Sequence, residues 1–223
     1  MNLIIKLMSI IKGRSIVLDD KVGIGYLFQL SIDKAFALLR GILATRRLVL
    51  IGRGTTVYAS RQLFVEKGVE IGPYCQIDCL SHKGLFIGQC SKVGAFSTLK
   101  VSGTLADLGQ SIVLGENVGI GEFAHIGGAG DVKVGSNTIA GAYLSIHPEN
   151  HIFSDKEALI REQGVTRKGV DVGANCWIGA KVTILDGSVI GDGCVVAAGA
   201  VVNGIFPDNV VIGGVPAKIL KVR

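Results

Sequence analysis

The stretch from Val172 to Val202, VGANCWIGAKVTILDGSVIGDGCVVAAGAVV, decides the fold because it places an aliphatic residue at every sixth position. A second small or apolar residue follows most of these by four positions, as Cys176 follows Val172 and Ala200 follows Val196. A period of six fits neither an α-helix nor the simple alternation of a β-strand. It is typical of a parallel β-helix, in which each hexapeptide forms one short strand and one corner.

The same frame recurs through most of the preceding chain. Its aliphatic positions are Ile51, Val57, Val65, Ile71, Ile77, Ile87, Val93, Leu99, Leu114, Ile120, Ile126, Val134, Ala140 and Ile146. At three hexapeptides per coil, about twenty of them predict roughly seven coils with the aliphatic side chains filling the axis. Glycine and asparagine at the corners tolerate the positive φ that tight turns need.

Interruptions of the frame predict loops, since a coil must keep its register. They fall at about 79–86, 100–113, 127–133 and 147–171. The longest, the insertion 147–171, is charged and contains two closely spaced histidines. Loops on a rigid scaffold are favoured places for chemistry, so this insertion is the first candidate for a functional site.

No hexapeptide frame is present in residues 1–48, which we interpret as an N-terminal helical cap on a β-helix domain of residues 49–223. A helix capped by Ser31 is predicted to run to about Leu43. Its packed face is expected to hold Ala35, Leu38, Leu39 and Ile42. A shorter amphipathic helix before it is suggested by Leu3, Leu7 and Ile10.

An alternative for the first 14 residues is peripheral contact with an anionic membrane through Lys6, Lys12 and Arg14. No stretch of about 18 apolar residues is present, so no transmembrane helix is expected. The five cysteines are odd in number and scattered, which indicates reduced, buried thiols in a cytoplasmic protein, possible placement at the inner membrane face included.

Composition narrows the partners. Hydrophobic residues make up 48% of the 223, which excludes a disordered chain, and the scarcity of aromatics (6%) predicts a core of aliphatic side chains. The net charge of +5 favours an anionic small molecule or a membrane surface. Without a basic run or interleaved aromatics, no nucleic-acid partner is expected. Gly119–Ala124 fits a dinucleotide-binding pattern, but it lies inside the repeat frame and is not expected to bind a nucleotide.

Histidines are the natural candidates for acid–base chemistry. His147 and His151 lie close together in the insertion, and the residues alone leave three interpretations: a general base, a metal pair, or solvated loop side chains. Two histidines without a clear third ligand make a poor closed metal site, so none is assigned. His82 and His125 are isolated and are expected to be structural or solvated.

Three elements carry a resemblance to a known family: Asn150-His151, the Trp177-Ile-Gly sequence, and Gly213-Gly-Val-Pro-Ala-Lys218. With the repeats, they resemble the hexapeptide-repeat acyltransferases over roughly residues 50–221. The resemblance is to the maltose/galactoside and xenobiotic acetyltransferase branch. It is strongest to the O-acetyltransferases of bacterial surface-polysaccharide and O-antigen synthesis.

This resemblance implies an all-β fold, a left-handed parallel β-helix, although its handedness is an exception to the usual right-handed crossover. It also implies a homotrimer with active sites between neighbouring prisms and acetyl-CoA as acyl donor. By the match of motifs, His151 is the catalytic base, and Asn150 and His147 lie on the acceptor side, with His147 the second choice as base. Glu149 or Asp155 is the candidate to orient the imidazole.

The cofactor residues follow from the same match. Trp177 is expected near the pantetheine end, Gly179, Ala180 and Ala198 along the pantetheine arm, and Lys218 near the phosphates. Asn203-Gly204 stands where the family often has Thr-Lys, which removes one phosphate contact.

The function that the resemblance implies is acetyl transfer from acetyl-CoA to a hydroxyl of a sugar or surface-polysaccharide precursor. Three alternatives remain open at this point. One is N-acetylation of an amino sugar or xenobiotic. Another is a zinc γ-carbonic anhydrase, which shares the solenoid but needs three well-placed histidines. The third is a non-catalytic solenoid that only binds partners.

Overall fold

A computed structural model describes residues 18–101 and 103–223 of the chain. The chain winds into a left-handed parallel β-helix whose three faces are parallel sheets, which we call A, B and C. Each successive strand moves to the next sheet, and the seven strands each of sheets B and C define seven coils. The predicted helix at Leu3–Ile10 and the suggested membrane contact of residues 1–14 lie outside the described residues.

The strands of the three faces are short. In stacking order, sheet A contains β1 (Leu50–Ile51), β4 (Glu70–Ile71), β7 (Lys92–Val93), β10 (Gly119–Ile120), β13 (Ile139–Ala140), β18 (Trp177–Ile178), β21 (Val195–Val196), β24 (Val210–Gly214) and β25 (Ala217–Val222). Sheet B contains β2 (Thr56–Tyr58), β5 (Gln76–Asp78), β8 (Thr98–Lys100), β11 (His125–Gly127), β14 (Ser145–His147), β19 (Thr183–Leu185) and β22 (Val201–Val202).

Sheet C contains β3 (Leu63–Val65), β6 (Gly84–Ile87), β9 (Ser111–Leu114), β12 (Asp131–Val134), β17 (Val170–Val172), β20 (Val189–Ile190) and β23 (Ile205–Phe206). A separate antiparallel pair, β15 (Asn150–His151) and β16 (Val165–Thr166), lies within the long insertion. Two 3-10 turns occupy Ser60–Gln62 and Ile160–Glu162.

The predicted repeat frame is confirmed. Its aliphatic residues point inward and stack on their counterparts in the next coil, as Ile51 pairs with Ile71 and Ile178 with Val196. Most are less than 5% exposed, whereas Val57, Val65 and Ala140 are only partly buried. Because every coil buries the same positions, the core is one continuous aliphatic column.

Corner length differs sharply between the three edges of the prism. The A–B edge, where the chain passes from sheet A to sheet B, uses four residues in every coil, from 52–55 to 197–200. The B–C edge varies from two residues at 203–204 to 22 residues at 148–169. All four predicted interruptions of the frame therefore emerge at the B–C edge.

Glycine at the first corner position answers a steric demand from the next coil. A Cβ at Gly121 would lie 2.5 Å from the backbone of Gly141, and one at Gly179 would lie 2.5 Å from the backbone of Ala198. Positive φ falls two residues later, on Asn137 and Asn175 as expected, but also on aromatic residues such as Phe123.

The helix α1 (Ile24–Thr45) corrects the sequence prediction in two ways. It begins seven residues before Ser31, whose hydroxyl donates to the carbonyl of Leu27 inside the helix and so caps nothing. Its buried face holds Leu27, Ala37, Gly41 and Thr45. The predicted packed face was wrong: Ala35, Leu38, Leu39 and Ile42 are exposed.

The reason is close approach. Gly41 contacts the carbonyl of Val49 so tightly that no side chain fits there. Contact between helix and coil is therefore made along the small residues of α1, because only they let the two backbones approach. Hydrophobicity alone pointed to the opposite face of the helix.

Candidate active site

His151 lies on a short antiparallel hairpin that projects from the B–C edge. Asn150 pairs with Thr166 and His151 with Val165, and the amide of Ile152 donates to the carbonyl of Gly164 at 3.0 Å. The side chain of His151 is exposed. The hairpin therefore holds an accessible imidazole beyond the face of the solenoid.

A buried carboxylate fixes the return of this insertion to the prism. Asp186 is 5% exposed and accepts hydrogen bonds from the backbone amides of Lys168 and Gly169, at 2.8 and 2.9 Å. The hydroxyl of Thr166, on β16, lies 3.4 Å from the same carboxylate. These bonds tie the second strand of the hairpin to the next coil.

Arg167 connects two loops of the B–C edge. Its guanidinium bonds to Glu149 at 2.7 Å and to Asp107, in the loop of the neighbouring coil, at 2.8 Å. Hydrogen bonding to Asp107, and then to Glu149, raises the pKa of Arg167 against the opposing effect of burial. Glu149, predicted to orient His151, is therefore engaged by Arg167, and the amide of Glu157 caps Asp155 at 2.9 Å.

His147 has a different environment from His151. It lies on the outer face of sheet B, where its Nε2 is 2.7 Å from the Ser145 hydroxyl. The ring of His125, one coil away, lies 5.6 Å from it, centroid to centroid. Burial lowers the pKa of His125, and the neighbouring charges of His147 and Lys100 lower it further.

The predicted cofactor residues gather on sheet A and the adjoining A–B edge. Trp177 is 57% exposed on the outer face of β18. Ala180 and Ala198 are exposed on successive corners, and the amide of Gly199 donates to the carbonyl of Ala180 at 2.9 Å. A Cβ at Gly199 would meet nothing within 4 Å, so this part of the edge is open.

Lys218 completes this group at the C-terminal end of the same face. It lies on β25, pairs with Gly213 and is exposed. Gly179, by contrast, is buried under the next coil. Trp177, Ala180, Ala198 and Lys218 thus form a strip on sheet A and its edge, which we call the alanine strip.

Sequence reasoning missed a column of aromatic side chains on the same edge. Tyr74, Phe96, Phe123 and Tyr143 stack in successive coils with ring centroids 5.0 to 5.2 Å apart. Arg53 and Lys181 lie over the two ends of the column. Aromatic residues three positions after the inward aliphatic, in four consecutive coils, are the signal that would have revealed it.

The structure separates the two groups of predicted site residues. Asn150, His147 and His151 belong to sheet B and the B–C edge, whereas the alanine strip lies on sheet A and the A–B edge. One prism does not present both groups on one face. A cavity of about 510 Å³ between α1 and the first coils, lined by Arg40, Arg53 and Glu70 among others, contains none of these residues.

Two searches of residues 18–101 and 103–223 bear on the alternatives. No cluster of three or more His, Cys, Asp or Glu side chains is placed to hold a metal ion there. Within the same ranges, no helix combines the length and apolar character needed to cross a bilayer. The five cysteines carry no disulfide, and four of them are buried, as predicted; Cys90 is half-buried.

Comparison with known proteins confirms the family resemblance. Residues 169–204 match the family model described as bacterial transferase hexapeptide (six repeats). The chain is 28% identical over 188 residues to a probable acetyltransferase of Mycobacterium tuberculosis, covering 84% of the chain and 54% of that protein. It is 35% identical over 106 residues to a putative lipopolysaccharide biosynthesis O-acetyl transferase of Escherichia coli, covering 44% of the chain and 54% of that protein.

The chain thus spans about half the length of the curated relatives it matches. Among solved structures, it is similar to AntD, an N-acyltransferase from Bacillus cereus in complex with dTDP and 3-hydroxybutyryl-CoA. That match has a TM-score of 0.50 at 22% identity and covers 87% of this chain and 88% of AntD. It supports the left-handed β-helix fold. The chain carries the hexapeptide repeats of the transferase family.

Proposed function

We propose that the protein is an acyltransferase that moves an acetyl group from acetyl-CoA to a hydroxyl of a sugar or surface-polysaccharide precursor. The observation that carries this proposal is the hairpin at the B–C edge, which holds the exposed His151 beyond a solenoid built from transferase hexapeptides. The alanine strip supplies a surface where a thin, extended ligand can approach the backbone.

Coenzyme A fits the alanine strip in shape and charge. The methyl groups of Ala180 and Ala198 and the bare backbone of Gly199 leave room for a pantetheine arm along the edge. Trp177 offers an exposed ring beside it, and Lys218 a cation for phosphate. Coenzyme A or an acyl-CoA is present in solved AntD structures, which supports the same class of donor here.

In the proposed reaction, His151 acts as general base. Its neutral imidazole takes the proton of the acceptor hydroxyl while the oxygen attacks the thioester carbonyl. The carbon–oxygen bond forms, the carbon–sulfur bond breaks, and the proton returns from the imidazole to the departing thiolate. No covalent enzyme intermediate is required, and Asn150 and His147 contact the acceptor.

The separation of the two residue groups on one prism supports a homotrimer with shared sites. If His151 of one protomer faces the alanine strip of its neighbour, each site takes its base and its donor groove from different chains. The E. coli relative named as an O-acetyl transferase of lipopolysaccharide biosynthesis favours a carbohydrate acceptor. An N-acyl product is the alternative, and mild alkali distinguishes the two, because esters cleave and amides persist.

The decisive experiment compares His151→Ala with His82→Ala. His82 is also exposed at the B–C edge, in the loop before β6, and serves as the matched control. Release of coenzyme A from acetyl-CoA is followed with sugar acceptors. We expect His151→Ala to lose about 10²–10⁴-fold in rate and His82→Ala to keep the wild-type rate. An unchanged rate in His151→Ala, with loss in His147→Ala instead, would reassign the base.

Shared sites are tested by mixing two inactive variants. His151→Ala lacks the base, and Ala198→Trp blocks the groove while leaving His151 intact. Unfolding and reassembling the two together should restore about a quarter of the wild-type activity, because a quarter of the sites combine an intact base with an intact groove from the neighbouring chain. If each site is built within one protomer, the mixture stays inactive.

A further inference from the structure

The outward face of α1 is an apolar surface that the rest of the described chain leaves uncovered. Phe28, Ile32, Phe36, Leu39 and Leu43 recur at spacings of three and four residues and therefore share one side of the helix. Their exposed fractions run from 40% for Ile32 to 75% for Leu43. We call these five residues the outer face of α1.

Charged side chains are absent from this face. At 100° per residue, Asp33, Lys34 and Arg40 fall on the flanks, between the outer face and the side that packs on sheet A. Lys34 there forms an ion pair with Glu70, and Arg40 donates to the carbonyl of Ile51. A water-exposed apolar stripe of this extent marks a surface that another body covers.

The distribution of charge identifies that body. Residues 1–53 contain nine Lys and Arg against three Asp, a net charge of +6, whereas residues 54–223 contain 14 basic and 15 acidic residues, a net charge of −1. All of the positive charge of the chain is thus concentrated around α1. Arg46 and Arg47 end the helix, between Leu43 and Leu48, which is 73% exposed.

An anionic lipid surface complements both properties at once. Aromatic and aliphatic side chains enter the boundary between head groups and acyl chains, and neighbouring Lys and Arg side chains attract the anionic head groups. A second copy of α1 would match the apolar stripe, but it would bring two strongly basic segments together. The charge therefore favours lipid over self-association.

We propose that the outer face of α1 docks on anionic phospholipid membranes, with the helix lying in the interface. The basis of this inference is independent of the proposed acetyl transfer. If both hold, the enzyme works beside the membrane, where a lipid-linked acceptor would be presented to it.

The test is co-flotation of the full-length protein with two kinds of vesicle, phosphatidylcholine alone and phosphatidylcholine with about 30% phosphatidylglycerol. We expect flotation with the anionic vesicles, weakened by high salt. The triple variant Phe28→Gln/Phe36→Gln/Leu39→Gln should lose at least about 100-fold in partitioning, because each side chain contributes apolar area to the bilayer. Arg46→Gln/Arg47→Gln should lose about 25-fold.

Phe153→Gln/Leu159→Gln is the matched control, since both side chains are exposed apolar residues of the B–C insertion, 74% and 63% exposed. It should float like the wild type. Circular dichroism and thermal unfolding verify that every variant is folded. Acetyl transfer to a soluble acceptor separates this proposal from the previous one, because the α1 variants should retain it.

Several results would overturn the proposal. One is flotation of the triple variant equal to wild type, or no preference of wild type for anionic vesicles. Another is a change in oligomeric state of the triple variant on size exclusion, which would make the outer face a contact between copies of the chain. A third is flotation that appears only after residues 1–17 are removed, which would show that this segment covers the face.

Discussion

The A–B and B–C edges are built from the same six-residue repeat, yet they differ in what they tolerate. Along the A–B edge all seven corners are four residues long. Along the B–C edge the corners range from two to 22 residues. One edge is held constant while the other absorbs every insertion.

Contacts between successive corners explain the difference. On the A–B edge, glycines such as Gly121 let backbones of adjacent coils meet, and the aromatic column from Tyr74 to Tyr143 stacks above them. An extra residue would break both. The B–C edge depends on side-chain bridges, such as Lys83 to Asp131 and Arg167 to Asp107, which can span loops of different length.

This division matches the proposed chemistry. The alanine strip, expected to hold the same cofactor in every turnover, lies on the constant edge, and His151 with the acceptor residues lies on the variable one. A donor groove benefits from a backbone that cannot shift, and acceptor recognition benefits from loops that differ in length and sequence.

The largest effect that would sharpen the comparison is expected at Gly121. Gly121→Ala places a methyl group 2.5 Å from the backbone of Gly141, which cannot move without disturbing the next coil. We expect a loss of about 3 kcal/mol in the free energy of unfolding, measured by urea denaturation.

Gly119→Ala is the matched control, two residues away on the adjacent strand. Its new Cβ would lie 3.6 Å from the side chain of Ile139, an ordinary van der Waals distance. We expect its stability to stay within about 0.5 kcal/mol of wild type. Equal effects of the two substitutions would mean that close approach of the coils does not hold the A–B edge constant.

Much of this architecture could be predicted from the sequence because the repeat is read directly from the residues that fill the core. Val172, Ile178 and Ile184 occupy the positions that their spacing requires. The interruptions were equally visible, since a lost register must appear as a loop. That all of them share one edge required the structure, because the six-residue period does not label the three faces.

Prediction failed where packing depended on small residues. The buried side of α1 is marked by Ala37, Gly41 and Thr45, so a search for large apolar residues selected the opposite side. The aromatic column was missed because positive φ is costly for Phe and Tyr, and the corner was expected to hold glycine or asparagine. The partition of site residues between two sheets also depends on face assignment.

The next effect concerns the B–C edge, through Arg167. Arg167→Lys keeps the charge but loses the fork that reaches Glu149 and Asp107 together. We expect about a tenfold loss in kcat for acetyl transfer, because the strand next to His151 is held less firmly, with less than about 1 kcal/mol of lost stability. The exposed pair of Lys83 and Asp131 gives the control.

Lys83→Gln breaks that pair, whose side chains are about half-exposed, in a loop that carries no predicted site residue. It should leave both kcat and stability near wild type. If Lys83→Gln reduces kcat as much as Arg167→Lys does, the bridges of this edge act through general stability, and Arg167 has no positioning role.

The smallest effect is expected at His125, on the sheet B face beside His147. Because burial, then His147 and Lys100, lower the pKa of His125, its ring should titrate below the usual value of about 6.5 in an NMR pH series. His147→Asn should raise that midpoint only in part, since burial, the largest cause, remains. Between the two pKa values the unfolded chain binds more protons, so stability falls as pH decreases from about 6.5 through the lowered value. A midpoint at or above 6.5 in the wild type would mean that the outer face of sheet B is as open to water as the loops of the B–C edge.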